Sequence, residues 1–160
     1  MKTWTATAVA LAHPAAVLNV LTDPDACARW APVPFDVEDD TRRLLAGSRA
    51  RVTGRLAGQR VGFDVEVRQA DENGLQLSAT GPVSLDVFYE IRAYRPLGDR
   101  PSDASAQRES SPGSHVHASV SVRPRRGLIG RLLAEATGAL LSAGALDHAL
   151  ARLASEAATT

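Results

Sequence analysis

Apolar and polar residues follow three patterns along the chain. Helical spacing near the start gives way after Phe35 to alternation with a period of two, which is broken mainly by turn residues, and a long helical stripe closes the sequence. Thr3 to Leu11, TWTATAVAL, is rich in Thr, Val and Trp and free of Gly and Pro, which predicts a strand. Pro14 suits the first turn of a short helix in which Val17, Leu18 and Leu21 fall at helical spacing up to about Thr22. Asp23 can cap a second short helix that starts on Pro24, carries Cys27 and Trp30, and ends before Pro32 and Pro34.

The alternating region predicts a meander of antiparallel strands. Arg49 to Ala57 places Val52, Gly54 and Leu56 against Arg49, Arg51, Thr53 and Arg55, and Arg60 to Val67 places Val61, Phe63, Val65 and Val67 against Asp64 and Glu66. A two-residue turn at Ala57-Gly58 sets Val52 opposite Phe63 on the inner face, with Arg51 opposite Asp64 and Arg49 opposite Glu66 outside. Glu72-Asn73-Gly74 reads as a three-residue hairpin loop with Gly74 left-handed, which predicts Val67 opposite Ala79 and Gln69 opposite Leu77. Val83 to Tyr94 turns Leu85, Val87, Tyr89 and Ile91 inward, and His115 to Val122 does the same with Val116, Ala118, Val120 and Val122. Between these two strands, residues 96–114 are nearly free of apolar side chains, the composition of a mobile surface loop.

From about Gly127 to Ala157 the spacing predicts one long helix, interrupted by Gly130, Gly138 and Gly144 but by no proline. Leu128, Ile129, Leu132, Leu133, Ala136, Leu140, Ala143, Leu146 and Leu150 form its apolar stripe. The expected fold is α+β: a curved antiparallel sheet of about six to seven strands around a long C-terminal helix, with two short helices after the first strand. A strongly curved sheet touching one helix leaves interior space, and the inward residues are nearly all aliphatic or aromatic, so an occupant is expected to be apolar.

Composition narrows the function classes. At 160 residues the chain suits one domain, residues 1–160, and its single cysteine excludes an internal disulfide framework. Lys plus Arg and Asp plus Glu number 18 each, so no global field draws the protein to nucleic acid or anionic lipid, and any partner is recognised locally. The start of the sequence lacks the continuous apolar stretch of a signal peptide, and no apolar run reaches membrane-spanning length, so the expectation is a cytoplasmic protein without a membrane span.

The order of elements, together with the opening TWTATAVALAHPAAVLNVLTDPDACARWAP, resembles the START-like superfamily, also called SRPBCC or polyketide cyclase/dehydrase-like proteins. Pro14 to Trp30 carries the resemblance most specifically: a Pro-containing helix start, an aliphatic helix, then Asp23-Pro24 followed by Trp30. The resemblance implies a helix-grip fold and a deep cavity for lipids, sterols, polyketides or other hydrophobic metabolites. It implies no single activity, because members similar to this chain include aromatase/cyclases, lipid carriers and ubiquinone-binding proteins.

Two functions follow as expectations. The first is binding of a hydrophobic small molecule, without a cofactor, by Trp30, Val52, Phe63, Val65, Leu85, Val87, Tyr89, Leu133, Ala136 and Leu140. The second is an enzyme of aromatase/cyclase type acting on a polyketide-like chain, whose catalytic residues the sequence leaves open. Tyr89 points inward and suits a hydrogen bond to a ligand carbonyl or phenolate, or a core role with a backbone partner. Trp30 reads either as a wall of the entrance or as core. Asp147, at the edge of the stripe, can reach the cavity rim, but a solvated position is the simpler reading. Cys27 has no recognisable base beside it, and His115 and His117 share a strand face without a third ligand tied to them by spacing, so neither supports nucleophilic or metal chemistry. Arg123, Arg125 and Arg126 precede the last helix, where Pro124 makes a connecting turn the simpler explanation than a phosphate site.

Overall fold

The computed structural model describes residues 2–31, 35–37, 43–56, 58–94 and 113–159. Strand β1 (Lys2–Ala10) leads into helices α1 (Pro14–Thr22) and α2 (Pro24–Trp30). Each helix starts on a proline whose missing N–H costs nothing there. Asp23 caps α2 through Oδ1, which accepts from the Asp25 N–H at 3.0 Å, and His13 caps α1 through Nδ1. The meander follows as β2 (Phe35–Val37), β3 (Arg49–Leu56), β4 (Gln59–Asp71), β5 (Gly74–Thr80), β6 (Val83–Tyr94) and β7 (Gly113–Pro124). Helices α3 (Leu128–Ser142) and α4 (Ala145–Thr159) close the chain.

The strands form one antiparallel curved sheet in the order β1-β7-β6-β5-β4-β3-β2, with the chain's first strand paired to its last. The predicted β3–β4 register is the observed one: Val52 pairs with Phe63, Arg51 with Asp64 and Arg49 with Glu66. Arg51 and Asp64 also form an exposed ion pair at 3.2 Å.

The next hairpin differs from expectation. Its loop is two residues, Glu72-Asn73, and a bulge between Val67 and Gln69 shifts the register, so Val67 pairs with Leu77 and Gln69 with Gln76. The bulge restores Ala70, in place of Gln69, to the face shared with Leu75 and Tyr89. Gly74 has φ +149, and a Cβ there would overlap the Tyr89 carbonyl oxygen, so this strand crossing requires glycine. The strand after the predicted 96–114 loop begins earlier than expected, since Gly113 and Ser114 already belong to β7; the loop as far as 112 lies outside the described residues.

The expected single C-terminal helix is two helices bent by 58°. Ala143 and Gly144 break it: Gly144 takes φ +92 and ends α3 as glycines commonly end helices, so no proline is needed. The bend divides the apolar stripe. Leu146 and Leu150, joined by Leu153 and Ala157, are buried against β1, α1 and α2, whereas Leu128, Ile129 and Leu132 face solvent. Trp4 ties α3 to the sheet by donating from Nε1 to Ser142 Oγ at 3.1 Å, and Gly138 lies where a Cβ would stand 3.3 Å from its indole. No single helix among the described residues is long and apolar enough to cross a membrane.

Candidate ligand cavity

The sheet curves away from the bent helices and leaves a cavity of about 300 Å³, at the lower end of the roughly 300–1,000 Å³ of small-molecule sites. Its walls come from the inner positions of β2 to β7, from Cys27 and Trp30 on α2, from Thr137, Leu140 and Leu141 on α3, and from Ala145 and Leu146 on α4. Arg55 and Leu140 are the exposed members of the lining and mark its open side.

Of the residues expected to line it, Trp30, Val52, Phe63, Val65, Leu85, Val87, Tyr89 and Leu140 do so. Leu133 and Ala136 do not. Leu133 packs with Val61 and Val83 in a separate cluster under the start of α3, and Ala136 is half-buried beside Leu140 but outside the lining, which α3 reaches only through Thr137, Leu140 and Leu141 in its second half. Sequence reasoning did not name Ala145 and Leu146 as cavity walls; the break at Gly144 sets them, at the start of α4, against the cavity.

Trp30 is a wall of the inner end and not of the entrance, since it is 5% exposed. Its Nε1 donates to the Val20 carbonyl at 3.2 Å, which spends the indole's donor and fixes the ring. The ring meets Tyr89 edge-on, with centroids 5.7 Å apart. Cys27 Sγ donates to the Leu21 carbonyl at 3.2 Å. Burial, helped by the nearby Asp23 charge, pushes its thiol up to about 12, so it stays protonated and inert. The Thr137 hydroxyl is likewise committed, to the Leu133 carbonyl at 2.8 Å.

Tyr89 differs from these neighbours. It is 6% exposed and its ring is held by Trp30, yet its hydroxyl bonds to no described residue and opens onto the cavity. Among the described residues it has no backbone partner of the kind expected of a core tyrosine. Burial raises its pKa, so the phenol keeps its proton and can donate. Asp147 is exposed in the first turn of α4, outside the lining. His115 and His117 are exposed on the outer face of β7, and no group of three or more potential metal ligands occurs among the described residues.

A START superfamily protein from Mycobacterium smegmatis superposes on 91% of this chain and 94% of its own, with TM-score 0.52 and 21% identity. The fold is the START-like helix grip. Proteins from Chromobacterium violaceum (TM-score 0.64, 15% identity, 98% of this chain and 96% of that) and Thermus thermophilus (0.63, 16%, 98% and 97%) share it over nearly their whole length. No family model and no curated protein matches the sequence. The helix grip accounts for a hollow between sheet and helix, and the identity of these side chains decides what the hollow can hold.

Proposed function

We propose that the protein binds a hydrophobic small molecule, a lipid, polyketide or similar metabolite, in this cavity, with one ligand oxygen accepting from Tyr89. The observation that carries the reading is the lining: an apolar space, open on one side, in which the buried Tyr89 hydroxyl bonds to no described residue and is left to donate. Apolar atoms entering it gain about 25 cal/mol for each Å² removed from water. A neutral carbonyl, ester or hydroxyl oxygen satisfies the phenol, while a carboxylate would lose its hydration for a single hydrogen bond.

The aromatase/cyclase alternative needs a proton acceptor beside a poly-carbonyl chain. Among the described residues the lining offers no carboxylate and no histidine, and Cys27 and Tyr89 both keep their protons near neutral pH. Binding without acid–base chemistry is the reading these groups support.

Native mass spectrometry of freshly purified protein is expected to show a bound apolar molecule; an empty chain from several expression hosts would overturn the reading. Phe63→Trp should shrink the space and weaken uptake of an apolar fluorescent probe, with the fold retained. Tyr89→Phe should weaken a carbonyl-bearing probe by about two- to tenfold and leave a pure hydrocarbon unaffected.

A further inference from the structure

We propose that the outward face of α3 is a docking surface for an anionic lipid bilayer. Leu128, Ile129 and Leu132 are 86%, 66% and 60% exposed, and Leu140, further along the helix, is 41% exposed. At 100° per residue these four, Ala136 and Ala139 fall within one arc of about 120°, while Leu133, at the edge of that arc, and Gly130 are buried. An aliphatic helix face this open to water needs a cover.

The surrounding charge selects the cover. Arg125, Arg126 and Arg131 are exposed around the start of α3, none is paired with a carboxylate of a described residue, and Glu135 is the helix's one acid. Gly127 supplies no side-chain cap, so the amino end of α3 adds its own positive potential. An apolar stripe with a cationic border is the pattern of helices that lie in the interface of anionic membranes. A second copy of this chain fits less well, because self-association through this face would bring like-charged arginines together. The chain as a whole is neutral, so the attraction is confined to this patch and to distances of about one Debye length, roughly 8 Å at physiological salt.

Leu140 belongs to both this face and the cavity lining, so docking would bring the cavity's open side toward the acyl region. An apolar ligand, if the cavity holds one as proposed above, would then pass between bilayer and protein with little contact with water. The docking itself does not depend on that reading.

The test is co-sedimentation with vesicles of phosphatidylcholine alone and of phosphatidylcholine mixed with phosphatidylserine, at low and at physiological salt. The protein is expected to bind the mixed vesicles, more weakly at higher salt, and to bind the neutral ones poorly. Arg126→Gln and Arg131→Gln should each weaken binding about fivefold. Leu128→Ser with Leu132→Ser should weaken it at least about tenfold. All four positions are exposed and outside the cavity lining, so melting temperature and probe uptake should stay at wild-type values, which separates failure of docking from failure of the cavity reading. Absence of binding to anionic vesicles at low salt would overturn the proposal, as would binding that ignores the leucine substitutions. Sedimentation velocity showing a dimer that those same substitutions dissolve would overturn it in favour of a second copy.

Discussion

Helices α3 and α4 are each 15 residues long and carry the same leucine-rich periodicity, but they meet different surroundings. In α4, Leu146, Leu150 and Leu153 are almost completely buried between β1, α1 and α2, and Arg29 of α2 reaches Glu156 at 3.2 Å on its rim. In α3, Leu133 is inside while Leu128, Ile129 and Leu132 face water. An apolar stripe states what a helix is able to bury; the elements on the other side decide how much it does bury. Helix α4 has a strand and two short helices packed on it, and α3 bridges the sheet's far end over a hollow.

The largest effect should come from the packed half. Leu153→Ala, at a fully buried position, should cost about 2–5 kcal/mol in denaturant unfolding. A cost under about 1 kcal/mol would mean that α4 is not the grip.

Alkaline pH should act on the same half. Cys27 is held protonated up to about 12 against an ordinary 9.0, so the unfolded chain releases this proton first as pH rises. Its contribution is intact below about pH 9 and is lost between 9 and 12, by up to roughly 2–3 kcal/mol at pH 11. Urea titrations at successive pH values should show that loss, and Cys27→Ala should remove the part that begins near pH 9, leaving the later loss above about pH 10 that the buried Tyr89 phenol adds.

Gly144→Ala should cost about 1–2 kcal/mol, since an alanine resists φ +92, and hydrogen exchange should show the ends of α3 and α4 loosening first. The smallest effect belongs to the open half: Leu132→Ser should change stability by less than about 0.5 kcal/mol, and a larger loss in the thermal melt would mean that α3's outer face is covered by the protein itself.

Much of this architecture is legible from the sequence, for identifiable reasons. The β3–β4 register can be read because opposite charges, Arg49 with Glu66 and Arg51 with Asp64, fall into register together with Val52 and Phe63. The β4–β5 register cannot, because a bulge after Val67 leaves no mark in a pattern that already mixes Arg68, Gln69 and Ala70. Continuous helical spacing across Ala143-Gly144 conceals the bend, and a stripe gives no position along the helix axis, so it assigns Leu133 and Ala136 to a cavity that α3 reaches only nearer its end. Most of the lining that the strands contribute can be named from alternation alone. That the Tyr89 hydroxyl bonds to no described residue cannot, since period two gives the direction of a side chain and says nothing about whether its polar end finds a partner.

The sole cysteine gives the protein an internal clock. Cys27 sits 5% exposed in the cavity wall, its sulfur turned to the Leu21 carbonyl, so a thiol reagent reaches it through the cavity or in the moments when α2 parts from α1 and α4. The rate of labelling by a chromogenic disulfide thus counts both routes together without any engineered tag, and a molecule filling the interior would slow the count.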